Sequence, residues 1–131
     1  MRTFALLVSA GLASTILAQA PDSNPPIRYL PLEREAGGTW LAHWNPATQT
    51  PRSIYGTGLA IEDWRENSLN EARRHAGEAL KKYAHVLGLG DSEFRESIGA
   101  RMGRTWSFKF DQYYRGLPCI GGRADVRVNM S

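Results

Sequence analysis

Histidines are the side chains of this 131-residue chain best suited to metal binding or acid–base chemistry, and there are three: His43, His75 and His85. His75 and His85 lie ten residues apart, a spacing that separates them by about 80° around a helix and about 15 Å along its axis. A zinc protease needs His-Glu-x-x-His, which places two ligands on one helix face. That motif is absent, so the histidines predict no metal site.

The sequence also lacks the other common signatures of catalysis. It contains no Gly-x-Ser-x-Gly nucleophile motif and no phosphate-binding loop. Its single cysteine, Cys119, lies between Pro118 and Ile120 in an apolar stretch. A reactive thiol needs a basic neighbour and exposure, so we expect a buried structural thiol there. The sequence therefore predicts a chain without catalytic residues, metal or cofactor.

The amino terminus has the composition of a secretory signal peptide. Arg2 supplies the positive charge, 4–17 is mostly apolar, and Ala18-Gln19-Ala20 resembles a cleavage site. Pro21 disfavours cleavage after Ala20, so cleavage after Ala18 is the alternative. The apolar run is shorter than the roughly 20 residues of a spanning helix. We therefore expect a secreted protein, extracellular or periplasmic, with no membrane segment beyond this signal.

The charge balance argues against a nucleic-acid partner. The whole chain has 16 basic and 13 acidic residues; without Arg2 the count is 15 against 13, a net charge of +2. Binding to nucleic acid requires basic residues concentrated on one face. No such cluster is visible in the sequence.

Residues 21–131 divide into a leader and one domain. Residues 21–38 are rich in proline and predict a flexible leader. In 39–45, Trp40, Ala42 and Trp44 share one face of a predicted strand, and 52–55 predicts the returning strand.

A helix is predicted over 68–87. Ser68 and Glu71 have the spacing of a capping box, and Gly88 suits the left-handed residue that ends a helix. A shorter helix is predicted over 91–98.

The last segment predicts a second hairpin. Alternation in 108–113 is typical of a half-buried strand, Arg115-Gly116 of a tight turn, and 123–129 of a returning strand. The fold class predicted from these elements is α+β, an antiparallel sheet of hairpins with one long helix packed on one face. The predicted core is Trp40 or Trp44, Ile54, Leu69, Leu80, Tyr83, Leu87, Trp106, Phe108, Phe110, Val126 and Val128.

The second hairpin carries the most specific pattern in the chain, FKFDQYYRGLPCIGG over 108–122. This order of residues resembles the fungalysin/thermolysin propeptide (FTP) domain, whose pattern is roughly Gln-Thr-Tyr-x-Gly-Ile-Pro-Val-x-Gly-Gly. Tyr113, Arg115 and Cys119 stand where Thr, Asn and Val are common in that family. The candidate motif or partner-contact residues are Gln112, Tyr113, Tyr114, Gly116, Leu117, Pro118, Ile120, Gly121 and Gly122.

The resemblance covers about 39–130 and implies a role without catalysis. FTP domains assist the folding of a zinc metalloprotease and inhibit it until they are removed. The resemblance thus implies a metalloprotease partner and a domain over 39–131 that is truncated at its carboxyl end. We expect contact through the strand edge 117–120, by strand addition, and through the turn 113–116; the alternative is that these residues only hold the hairpin. The alternatives are a free-standing secreted protease inhibitor or protein-binding module, or an inactive remnant.

Overall fold

A computed structural model describes residues 3–7 and 24–129. The predicted cleavage sites at Ala18 and Ala20, and most of the predicted signal peptide, lie outside the described residues. Met130 and Ser131, which complete a possible glycosylation sequon begun by Asn129, lie outside them as well. No helix within the described ranges is long and apolar enough to cross a membrane.

The main sheet has five antiparallel strands in the order β5-β1-β8-β7-β6. The central hairpin pairs β7 with β8, as the alternation in the sequence predicted. The remaining strands flank this hairpin on both sides. Their bounds are β1 Thr3–Leu7, β5 Leu59–Ala60, β6 Glu93–Met102, β7 Thr105–Tyr114 and β8 Leu117–Asn129.

A second, smaller sheet holds the predicted first hairpin. Its antiparallel order is β2-β3-β4, with β2 at Ile27–Arg28, β3 at Trp40–Asn45 and β4 at Thr50–Gly56. The prediction of two strands here is confirmed, with β4 two residues longer at its start and one at its end. The pairing shifts by one residue between His43 and Trp44.

Three helices complete the described chain: α1 Leu30–Ala36, α2 Leu69–Lys82 and α3 Ala84–Leu87. The Ser68 hydroxyl accepts a hydrogen bond from the Glu71 amide at 3.2 Å, so the predicted cap is confirmed on this side. The Glu71 carboxylate, however, accepts from the Arg65 amide at 3.1 Å. Gly88 ends α3 with φ +69°, as predicted.

The predicted fold class is wrong. Strands make up 47% and helices 24%, so the chain is mostly β. It has two separate sheets, and the predicted helix over 68–87 is divided at Tyr83, whose backbone has φ −104° and ψ 11°. The burial of Tyr83 in the core, with 6% exposure, accompanies this break.

The short helix predicted over 91–98 is also wrong, because this segment belongs to β6. Asp91 and Ser92 are residue types that often cap the start of a helix, so the local sequence favours a helix here. β6 is an edge strand of the main sheet, and every residue of Glu93–Met102 except Ser97 has a pairing partner on β7. This long-range pairing overrides the local preference.

The proline-rich segment 21–38, predicted as a flexible leader, contributes to the fold where it is described. Tyr29 is 8% exposed and Leu32 is fully buried. Pro31 occupies the first turn of α1, where its fixed φ and missing amide donor favour a helix start. Arg28 forms an ion pair with Glu33 at 2.9 Å. Pro31 therefore favours the start of a helix in this segment.

The core is one cluster that joins the inner face of the main sheet, α2 and the second sheet. Trp40 is the fully buried member of the predicted tryptophan pair, whereas Trp44 is 36% exposed. Leu69 packs against the cluster while partly exposed. The other predicted core residues are buried: Ile54, Leu80, Tyr83, Leu87, Trp106, Phe108, Phe110, Val126 and Val128.

Candidate functional site at the end of the central hairpin

The turn between β7 and β8 has the geometry that the right-handed twist of a hairpin favours. Tyr114 pairs with Leu117, which leaves Arg115 and Gly116 as a two-residue loop. Their φ angles are +51° and +79°, the double positive φ of a type I′ turn. Gly116 adopts this region freely, whereas an arginine there is strained by its Cβ.

A wide bulge follows the turn on β8. Tyr113 pairs with Pro118 and Asp111 pairs with Arg123, so a step of two residues on β7 faces a step of five on β8. The excess is three residues (5 − 2), and it displaces 119–122 from the regular ladder. A bulge of this kind bends the strand and re-aims its side chains.

Gln112 and the Gly121-Gly122 pair fit together inside this bulge. Gly121 has φ +74°, which favours glycine. A Cβ placed on Gly122 would lie 2.4 Å from the Gln112 Oε1, closer than atoms pack, and 3.0 Å from the Cys119 Cβ, a tight contact. The Gln112 Nε2 donates to the Ser92 Oγ at 2.7 Å. These motif residues therefore shape the bulge, and their spacing has a structural explanation.

The side chains next to the bulge and turn leave a large apolar surface in contact with solvent. Leu117 is 71% exposed, Ile120 is 81% exposed and Tyr114 is 45% exposed. Pro118 is exposed, and Cys119 is only half-buried, so the expectation of a buried thiol is not met. We call the three exposed residues Tyr114, Leu117 and Ile120 the hairpin patch.

Arginines flank the tyrosines of the hairpin end. The Arg95 guanidinium lies 4.1 Å from the centre of the Tyr113 ring, and that of Arg115 lies 5.3 Å from the Tyr114 ring. Arg95 also donates to both Glu93 oxygens at 3.0 Å, which holds the pKa of that carboxyl below its usual range. The tyrosine rings already have partners, whereas the apolar exposure is concentrated on Leu117 and Ile120.

Ser92 and Arg95 also belong to this site, and neither is among the predicted site residues. Both lie in the segment predicted to be a short helix, whereas the structure places Ser92 just before β6 and Arg95 within it. Phe94 and Glu96, alternate residues of β6 that are half-buried, differ in polarity, so they give no apolar alternation that would identify this strand.

The free edge of β8 differs along its length. On the side away from β7, β8 pairs with β1 only over Asp125–Val128. Among the described residues, no strand pairs with that side of 117–124. The predicted strand edge 117–120 therefore exists, but the bulge interrupts its regular geometry. Bulges of this kind discourage pairing with another strand.

The three histidines are not brought together. His75 is 6% exposed, stacks on Trp64 at 5.5 Å, and lies 3.2 Å from the Glu71 Oε1. His85 contacts Glu35, and the His43 ring lies 5.9 Å from that of Tyr55. Within the described ranges, no group of three or more potential ligand side chains could hold a metal.

Comparison with known proteins finds no protein that is significantly similar to this chain. No protein-family model matches the chain, and no curated protein or solved structure is significantly similar to it. The resemblance to the FTP domain therefore rests on the residues of 108–122.

Proposed function

We propose that this chain is a secreted, non-catalytic module that binds a thermolysin- or fungalysin-type zinc metalloprotease, assists its folding and inhibits it. The proposal combines the motif resemblance with the exposure of the motif's own apolar side chains. A motif that served only to hold the hairpin would need Gly116, Gly121, Gly122 and Gln112. It would not need two large aliphatic side chains in water.

The exposure of Leu117 and Ile120 is the observation that supports the proposal most strongly. Both side chains are more than two-thirds exposed within a segment of four residues. Burying a leucine or isoleucine side chain yields about 1.5–3 kcal/mol, so contact with a partner at both positions would contribute substantially to affinity. Large exposed apolar groups at the centre of a surface are typical of protein interfaces.

The hairpin patch favours docking through side chains. The I′ turn and the bulge fix the backbone on both sides of Leu117, so little conformational freedom remains to be lost on binding. Such a rigid apolar projection can enter a cleft of the partner and cover it, which requires no catalytic group on this chain. Arg95 and Arg115 next to the patch would favour acidic groups around that cleft.

Inhibition of a thermolysin-type enzyme tests the proposal. The full chain is titrated into the enzyme, alongside a double variant with Leu117→Ser and Ile120→Ser. Met102→Ser is the matched control, because Met102 is 69% exposed but pairs with Thr105, at the end of β7 opposite to the hairpin patch, about 30 Å away for ten strand residues.

We expect inhibition by the wild type and by the Met102→Ser variant with equal strength, and at least tenfold weaker inhibition by the double variant. Equal inhibition by all three proteins would remove the hairpin patch from the interface. No inhibition by the wild type at high micromolar concentration would contradict the proposed function. Recovery of enzyme refolded with and without the chain provides the corresponding test of assisted folding.

A further inference from the structure

The segment that resembles a signal peptide also supplies a strand of the main sheet. Thr3–Leu7, within that segment, forms β1. It lies between β5 and β8 and is antiparallel to both. Phe4 pairs with Val128 on one side and with Leu59 on the other. The same residues are therefore predicted to be cleaved and observed to complete the sheet.

Cleavage at either predicted site would separate β1 from the domain. The sheet would then be split between β5 and β8, whose edges lie about 9.5 Å apart, twice the spacing of neighbouring strands. Both edges would present backbone groups that had been paired with β1, over Leu59–Ala60 and Asp125–Val128. Unpaired edges of this kind accept a strand from another polypeptide.

This gap, which we call the β1 slot, is better suited to strand addition than the hairpin patch. Asp125–Val128 pairs in regular register with Ser107 and its neighbours on β7 and with β1, without a bulge. Val126 and Val128 are fully buried, so a strand in the slot adjoins the core. The edge of 119–122, by contrast, is interrupted by the bulge.

We propose that the β1 slot is a strand-acceptor site, filled by β1 before processing and by an extended strand of the partner metalloprotease afterwards. This inference rests on the proposed function for the identity of the partner. The chemistry of the occupant follows from β1 itself: about five residues in extended conformation, uncharged, with aliphatic or aromatic side chains as in Thr-Phe-Ala-Leu-Leu. It runs antiparallel to both neighbours.

The slot can be opened in the full chain after it has folded. A recognition sequence for a site-specific protease is inserted after Ala13, and in a second variant after Ala18, in case one insertion prevents folding. Cutting the folded protein leaves β1 bound without a covalent link. A labelled peptide with the sequence of 2–8 is then added, and its binding is measured by fluorescence anisotropy. The same protein left uncut is the matched control.

A second peptide carries Ala5→Pro and Leu6→Pro. Consecutive strand residues donate to opposite sides, so one of two adjacent prolines removes a donor toward β8. We expect the cut protein to bind the unaltered peptide at least thirtyfold more tightly than the uncut protein does, and the proline peptide not to bind. Failure of the cut protein to bind the unaltered peptide, or equal binding of both peptides, would overturn the acceptor site.

Inhibition of the thermolysin-type enzyme by the cut protein, measured with and without the peptide, tests whether a strand of the enzyme fills the β1 slot. We expect saturating peptide to weaken this inhibition at least tenfold, because peptide and enzyme compete for the slot. Undiminished inhibition would overturn the enzyme strand as occupant, while the hairpin patch would remain the interface. If neither the cut nor the uncut protein inhibits the enzyme, the proposed function is wrong, and so is the proposal that an enzyme strand fills the slot. The peptide experiment still decides whether the slot accepts a strand.

Discussion

The two halves of the β7–β8 hairpin differ although they belong to the same pair of strands. In the covered half, 106–111 and 123–128 pair residue by residue, and the inward side chains of both strands are buried under α2. In the open half, 112–122, the ladder is interrupted by a three-residue excess and the side chains of Leu117 and Ile120 face solvent.

The contrast separates the side chains that stabilise the hairpin from the exposed side chains that we propose to contact a partner. The covered half is stabilised by buried area and is tied to the start of α2, because the Trp106 Nε1 donates to the Asn67 Oδ1 at 3.0 Å. The open half is held by backbone geometry and by the Gln112 amide. Substitutions in the covered half should therefore change stability, and side-chain substitutions on the hairpin patch should change binding.

Phe108→Ala should have the largest effect on stability. Phe108 is 1% exposed at the centre of the covered half, and truncating a buried phenylalanine costs about 3–5 kcal/mol. Tyr114→Ala in the open half should cost less than about 1 kcal/mol. Urea denaturation followed by tryptophan fluorescence measures both. Similar losses for the two variants would abolish the distinction between the halves.

Gly122→Val should be the most damaging change in the open half. The new side chain would collide with Gln112 and Cys119, and overpacking of this kind costs about 1–3 kcal/mol. Adding Gln112→Ser removes one of the two colliding groups, so the double variant should recover part of that loss in the same denaturation assay. Strict additivity of the two substitutions would show that Gln112 does not fill the bulge.

Arg115→Asn should stabilise the open half. Arg115 has φ +51°, and asparagine tolerates this region better, which yields up to about 1 kcal/mol. The loss of the Arg115 contact with Tyr114 opposes this gain. The midpoint of thermal unfolding should rise by a few degrees at most. A decrease would mean that the contact with the tyrosine ring outweighs the backbone strain.

Acid should destabilise α2, the helix over the covered half, through Glu71, and we expect this effect on stability to be the smallest of the four. Hydrogen bonds from Arg74 and the Arg65 amide lower the Glu71 pKa from 4.5 to about 2. A lowered folded-state pKa contributes stability above pH 4.5 that is lost as the pH falls toward 2. Glu71→Gln should therefore reduce the decrease in melting temperature between these pH values. An unchanged pH profile would show that Glu71 does not contribute.

The sequence predicted the local elements with regular patterns and failed where distant residues decide the structure. Alternation located β3, β7 and the end of β8, and the Ser68 cap and Gly88 marked helix ends. The strand β6 was mistaken for a helix because its partner β7 overrides the preference of Asp91 and Ser92. No local signal indicated that Thr3–Leu7 would pair between β5 and β8.

The candidate site was predictable in its residues but only partly in its geometry. The order of Gln112, Gly116 and Gly121-Gly122 located the end of the hairpin. Gly116 and Gly121 adopt positive φ there, and Gly122 leaves room for the Gln112 side chain. The contacts of Ser92 and Arg95 depend on the position of β6, which the sequence did not identify as a strand. Exposure of Leu117 and Ile120 is likewise set by the bulge.

Amide hydrogen exchange, measured on the full chain alone and with a thermolysin-type enzyme, tests the central claim most directly. The hairpin patch and turn, 114–120, should exchange more slowly in the complex, while 98–102 at the opposite end of the main sheet should exchange at the same rate in both samples. Slower exchange at 98–102 with no change at 114–120 would contradict the assignment of binding to the open half of the hairpin.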